Sequence, residues 1–583
     1  MPSPAPHQPG RTAGTAALRA GTAALLLACA QTPQTLELGS PPNPASARTA
    51  GVIPARAPEL ILHNGIIFAA GQPESGATAI AVTGDRITAV GADAELMALA
   101  DAATTTIDLE GRLVIPGLND SHMHVGPWPE MRVLGLSGPE DPSWGTVLDS
   151  VRAAAAEVPA GTWISGEIGA SVLDDTAATR FGLDSVSSEH PVMLSGFTGH
   201  GLVVNSAALR ALDISLTEPD RPGGWFDRVT GSDTLNGRLW EYTHLDVIRR
   251  LSAPPSREDA IASYRNFADW MVRWGVTSVQ QMENDRDLNE TLAALAEARL
   301  PLRWAIYEWP MPERSVDEPR PPVRRPSGLD ERVRVAGVKW MLDGTPVERG
   351  AAMRAPYSDR SSWYGRVNFS PDEIRQILGS ALQDGDQTAL HVAGDSTLAL
   401  VLRTMFDLAP AESWRAHRVR IEHGDGTTPD LLPLMEELGV VLVQNPLHLA
   451  LPQFLHPRYG AERTPQMQLL ASAARGGVPV ALGTDAAGSG RNPWLNLMLA
   501  TIHPSNAAEA LTREEALRAF TFGSAWAEGH EDRKGTLAPG MLADMVVLSQ
   551  NVLEVPLDAL PATESALTII GGEIVYRAPP FQD

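Results

Sequence analysis

Two histidines spaced i and i+2, His122 and His124, follow a short apolar run that begins at Val114. On an extended chain, residues two apart point to the same side, so both imidazoles can reach one cation. Four more residues of suitable chemistry come much later: Lys339, His391, His423 and Asp485. Each lies in or just after a run that reads as a buried strand. A lone histidine is ordinarily a surface or satisfied core residue. Four histidines and one aspartate at matching ends of separate strands, with a lysine between them, point instead to a metal centre. The donors are nitrogen and oxygen only, which suits zinc and leaves iron, manganese and cobalt open.

The elements that must position these residues alternate regularly. Candidate strands occupy 114–118, 276–281, 302–307, 333–341, 388–392, 419–422, 440–444 and 479–483. Helical patterns at 257–274, 288–298, 371–384, 429–438 and 466–476 fall between most of them. This predicts an α/β fold, a (β/α)8 TIM barrel over 113–535, with the candidate ligands at the C-terminal ends of the strands, where such barrels gather catalytic groups. The stretch 125–255 is too long for a simple loop and holds strand-like pieces at 162–164 and 191–194. It reads as an insertion that covers the site or shapes its pocket. Short strands with glycine turns recur at both ends, 58–112 and 536–577, and predict a small β-sandwich built from both termini.

Composition narrows the partners. With 43% hydrophobic and 20% charged residues the chain reads as globular. A net charge of −24 argues against a nucleic-acid partner, which needs a basic stripe; the expected partner is a small-molecule substrate. The one cysteine, Cys29, permits no internal disulfide and no cysteine zinc cluster. Arg11 and Arg19 precede a short apolar run that ends at Leu26-Leu27-Ala28-Cys29. Residues 1–29 therefore read as an export signal with a lipobox, and 30–57 as a flexible tether. The expected location is the periplasm or cell envelope, with membrane contact only through a lipid on Cys29; the apolar run is too short to span a bilayer.

The run Val114-Ile115-Pro116-Gly117-Leu118-Asn119-Asp120-Ser121-His122-Met123-His124 resembles the first-strand signature of the amidohydrolase superfamily. Gly337-Val338-Lys339-Trp340-Met341-Leu342-Asp343-Gly344-Thr345, His391-Val392-Ala393-Gly394-Asp395, Glu422-His423-Gly424 and Gly483-Thr484-Asp485-Ala486 resemble its family-3 branch, which includes N-substituted formamide deformylases. The likeness covers roughly 58–577. It implies two divalent metal ions, one held by His122, His124 and Asp485, the other by His391 and His423, bridged by a carboxylated Lys339. A protonated lysine has no lone pair to offer a metal, whereas a carbamate has two oxygens. It also implies hydrolysis of an amide, N-formyl or N-acyl bond by metal-activated water, with Asp485 moving the proton to the leaving amine. His200 and Glu241 resemble substrate-facing positions of the branch. Trp128 and Trp494 are further pocket candidates, and Asp343 is expected to orient a loop or ligand through hydrogen bonds. A homodimer would be unsurprising.

Three other readings compete. A mononuclear deaminase of this superfamily carries a glutamate shortly after the strand-5 histidine, and here Val-Ala-Gly-Asp follows His391. An esterase or peptidase could use the same site. A non-catalytic exported binding protein is disfavoured by the complete ligand set. Radioactive fatty acid should label the wild-type chain in cells and not its Cys29→Ser variant; an unlabelled wild type would end the lipoprotein expectation.

Overall fold

In the computed structural model, eight strands lie side by side and every neighbouring pair runs parallel. They are Leu118–Met123, Val276–Glu283, Arg303–Glu308, Val333–Met341, Gln387–Val392, Arg420–His423, Val441–Gln444 and Val480–Leu482, called barrel strands 1 to 8 below. The structure describes residues 56–69, 76–127, 130–136, 142–252, 255–283, 287–486 and 488–579, all within one compact unit, Thr49–Asp583. The expected export signal, most of the tether and Trp128 lie outside the described residues. Among those described, no helix is long and apolar enough to cross a membrane.

Barrel strands 1 and 8 meet to close the ring. Asp485 N donates to His122 O at 2.9 Å, and Thr484 donates to the buried Asp120 carboxylate through its N–H (2.9 Å) and hydroxyl (2.8 Å). The approach is so close that a Cβ on Gly483 would stand 2.4 Å from His122 N, which only glycine avoids.

The interior of this barrel is polar where branched aliphatic layers are usual. Arg420 crosses it to reach Ser121 O and the side chains of Gln280 and Glu422. Gln280 bonds Asn119, Asn119 bonds Glu528, and Glu528 pairs with Lys534 and Arg334. Every charge in this network, from Arg420 and Glu422 to Glu528, Lys534 and Arg334, has a partner, the condition under which a buried polar network is tolerated. Outside the strands, helices are set by local signals. Pro371–Asp384 begins with a Ser370–Glu373 capping box and proline in its first turn, and ends on left-handed Gly385.

One strand differs from the sequence expectation. The run at 114–118 divides: Leu113–Pro116 pairs with Met545–Leu548 in a five-stranded sheet, and barrel strand 1 starts at Leu118. Both pieces are wholly buried, so their apolar patterns merge. Gly117 separates them where a Cβ would meet the Thr277 side chain at 2.1 Å. That sheet joins the two ends of the chain, adding Ile66–Ile67 to Ser565–Ile570 and Glu573–Arg577. Its Val114, Met545, Val547 and Leu567 share one apolar cluster with Leu60, Leu62, Ile80 and Val82 of a four-stranded sheet.

The long excursion after barrel strand 1 builds a six-stranded sheet of its own, with two apolar clusters. It is tied to the loop after barrel strand 4 by Arg349–Asp174 (2.7 Å) and by Thr198 donating to Glu348.

Asp120 accepts three hydrogen bonds in a dry position, the third from His122 N at 3.3 Å. Asp120→Ala would strand those donors and should cost about 3 kcal/mol. A urea midpoint equal to that of the wild type would show that the closure does not depend on this carboxylate.

Candidate metal centre

Barrel strand 1 delivers His122 and His124 to the rim as its period predicts. His122 is 1% exposed, and its Nδ1 lies 2.6 Å from Glu422 Oε2. Glu422 is itself locked by Arg420 Nε at 2.7 Å. Burial opposes its charge, but the Arg420 guanidinium holds the Glu422 carboxyl down to about 2. The anionic acceptor assigns the His122 proton to Nδ1 and leaves the Nε2 lone pair facing the rim. Burial, aided by the Lys339 charge, pushes the His122 imidazole down to about 4, so it stays neutral.

Asp485 follows barrel strand 8 in a left-handed backbone conformation, φ +43°. Its Oδ1 stands 3.4 Å from His124 Nε2 and 3.8 Å from His122 Nε2. Although burial opposes ionisation, His122 and its neighbours hold the Asp485 carboxyl well below the usual range. His423, also left-handed at φ +70°, donates Nδ1–H to Asn445 Oδ1 at 2.8 Å. Ligand atoms of His122, His423 and Asp485 lie within 4.8 Å of one another. Strained non-glycine backbone persists only where surroundings impose it, and here two such residues share one site.

His391 packs its ring 4.4 Å from that of His423. Its Nε2 is buried and has no hydrogen-bond partner among the described residues, an orphan that native structures rarely leave. Lys339 is 1% exposed, and its ammonium makes no ion pair or hydrogen bond among the described residues; it lies 5.3 Å from the centroid of Trp309. Burial pushes it down to about 8, toward the neutral amine. A buried imidazole nitrogen left without a partner beside a buried lysine fits a donor set that would hold a cation. Asp343, fully buried, binds the N–H groups of Ala393 and Gly394 and so fixes the turn after His391.

The insertion reaches the same place. His200 Nδ1 lies 3.0 Å from Glu241 Oε2, and its ring is 4.7 Å from that of His391. Asn368 Nδ2 also donates to Glu241, at 3.2 Å. Trp494 is not a pocket residue: it is fully buried in the main core, and its Nε1 donates to Trp274 O. Glu422 sat in a motif singled out from sequence without a role of its own. The sequence reading misses His448, Asn445 and Trp309, although each lies just beyond a barrel strand, the same signal that marks the candidate ligands.

An eight-stranded parallel barrel with imidazoles, a carboxylate and a buried lysine at one rim is the framework of a metal-dependent hydrolase. The particular family follows from comparison: the chain belongs to the Amidohydrolase family, whose model matches residues 105–576. Similar proteins include Protein LONG AFTER FAR-RED 3 of Arabidopsis thaliana, 27% identical over 89% of this chain and 91% of its own length. The N-substituted formamide deformylase of Arthrobacter pascens is 23% identical over 89% of this chain and 98% of its own. An uncharacterized metal-dependent hydrolase from Pyrococcus horikoshii OT3 shares the fold, with a TM-score of 0.65, 21% identity, and coverage of 86% of this chain and 99% of that one.

Removing the partner that sets the His122 tautomer should loosen any bound cation. Glu422→Gln is expected to weaken metal affinity by roughly 10–100-fold. Competition against a chromogenic chelator measures it, and an unchanged affinity would deny Glu422 that role.

Proposed function

We propose that this protein hydrolyses a C–N bond of a small molecule, in an amide, N-formyl or N-acyl group, at a centre of two divalent cations, with zinc the first choice. The observation that carries the reading is the meeting of five donors from four strand ends, among them His391 with its Nε2 unpartnered among the described residues, beside the buried Lys339. His122, His124 and Asp485 would hold one cation, and His391 and His423 the other. Lys339 would bridge them as a carbamate: its neutral amine attacks CO₂, a new N–C bond forms, and the displaced proton goes to solvent. Burial favours that neutral amine. The relative named N-substituted formamide deformylase supports the N-formyl option.

Bound cations would supply an acidified water and polarise the scissile carbonyl. The chain's own part is proton handling and orientation. Asp485 accepts the proton that the attacking water loses and returns it to the leaving nitrogen, so the C–N bond breaks as an N–H bond forms. His200 and Glu241, fixed to each other beside His391, would line the substrate side. The lipobox ending at Cys29 supports an exported, envelope-anchored enzyme.

Stripping divalent cations with a chelator should abolish hydrolysis of N-formyl, N-acyl or lactam compounds, and zinc should restore it. Ammonia release without an acyl product would favour deamination instead. Asp485→Asn should keep part of its metal and lose roughly 10²–10⁴-fold in kcat; turnover near wild type in that variant would remove the proton-transfer role.

A further inference from the structure

Barrel strand 7 supplies none of the proposed ligands, yet the loop after it sends two polar side chains to the centre. Asn445 takes the Nδ1–H of His423. His448 lies flat on the same ring, with centroids 4.7 Å apart and planes at 12°. Its Nδ1 is 3.3 Å from Oδ2 of the buried Asp425, which also accepts from Gln468 Nε2 at 3.1 Å. Its Nε2 stands 3.7 Å from Asp485 Oδ2.

The two oxygens of Asp485 thus keep different company. Oδ1 faces His124 and His122. Oδ2 faces His448 at 3.7 Å and His423 Nδ1 at 3.8 Å, and the latter proton is already committed to Asn445. Asp485 springs from a left-handed backbone at the end of a three-residue strand, so little in its own element restrains its carboxylate. His448, by contrast, is held on one face by His423 and at one edge by a buried carboxylate.

We infer that His448, gripped by Asp425, is a positioning residue that steadies Oδ2 of Asp485 and so keeps Oδ1 turned toward His122 and His124. The inference rests on the hydrolytic reading of Asp485 given above. A reacting group misplaced by about 1 Å can lose about 10²-fold in rate, so a free carboxylate should damage turnover far more than substrate binding.

The test uses the full protein loaded with Co²⁺, whose visible absorption bands follow the orientation of its ligands. His448→Ala should keep the wild-type cobalt stoichiometry, shift the bands, and lose about 10²-fold in kcat at nearly constant KM. His448→Gln should recover part of both signals. Asp425→Asn, which leaves His448 in place, should move both in the same direction and covers the case in which His448→Ala fails to fold. Unchanged bands and kcat in a folded His448→Ala protein would overturn the inference, as would loss of the cobalt itself. If the wild type binds cobalt but cleaves no amide, the hydrolytic reading fails while the bands still decide the positioning role. If it binds no cobalt, both fall together.

Discussion

The Glu422 carboxylate, shut between Arg420 and His122, is the interaction from which the rest of the site is organised. Removing a charge from water is costly, and a buried carboxylate persists only with strong partners. Arg420 supplies one and His122 the other. The pairing fixes a single His122 tautomer, so the ring reaches the rim with its lone pair outward. Arg420 in turn engages Ser121 O and Gln280, and the chain of partners continues through Asn119 to Glu528, Arg334 and Lys534. The barrel interior is a set of matched charges and amides that orients one side chain at the top.

A second constraint is parallel geometry. Because all eight strands run the same way, their C-terminal ends share one rim, and residues from 122 to 485 meet there. Turns off those ends need unusual backbone, which His423 and Asp485 provide and which Asp343 stabilises after His391. The insertion then adds a wall from outside the barrel. Its sheet is built independently, yet His200 touches His391, while Arg349–Asp174 and Thr198–Glu348 pin it to the loop after barrel strand 4. The site thus has a rim supplied by the barrel and a wall supplied by a separately built sheet.

Much of this was legible beforehand because its signals are local. Barrel strand 4 and the helices Leu288–Ala298 and Pro371–Asp384 have the bounds that their apolar runs and caps predict. The sequence pattern starts barrel strand 1 four residues early, since Leu113–Pro116 and Leu118–Met123 are equally buried and only their hydrogen-bonded neighbours differ. Trp494 lies near Asp485 in sequence, which makes it a pocket candidate, but the helix Pro493–Ile502 carries it into the core. Asp425 and His448 each follow a barrel strand, but nothing local pairs them: they are 23 residues apart and become neighbours only when barrel strands 6 and 7 lie side by side.

The sequence by itself determined the alternation of strand and helix, the family motifs, and the side chains able to hold a cation, because residue type and short-range period suffice for these. Tertiary structure alone decided which nitrogen of His122 carries a proton, that His391 Nε2 and Lys339 are buried without hydrogen-bond partners among the described residues, and that His200 and His448 flank the candidate ligands. Those are contacts between residues from 22 to 300 positions apart, as for His423 with Asn445 and His122 with Glu422. No local pattern encodes such pairs; they exist only once the parallel barrel has closed.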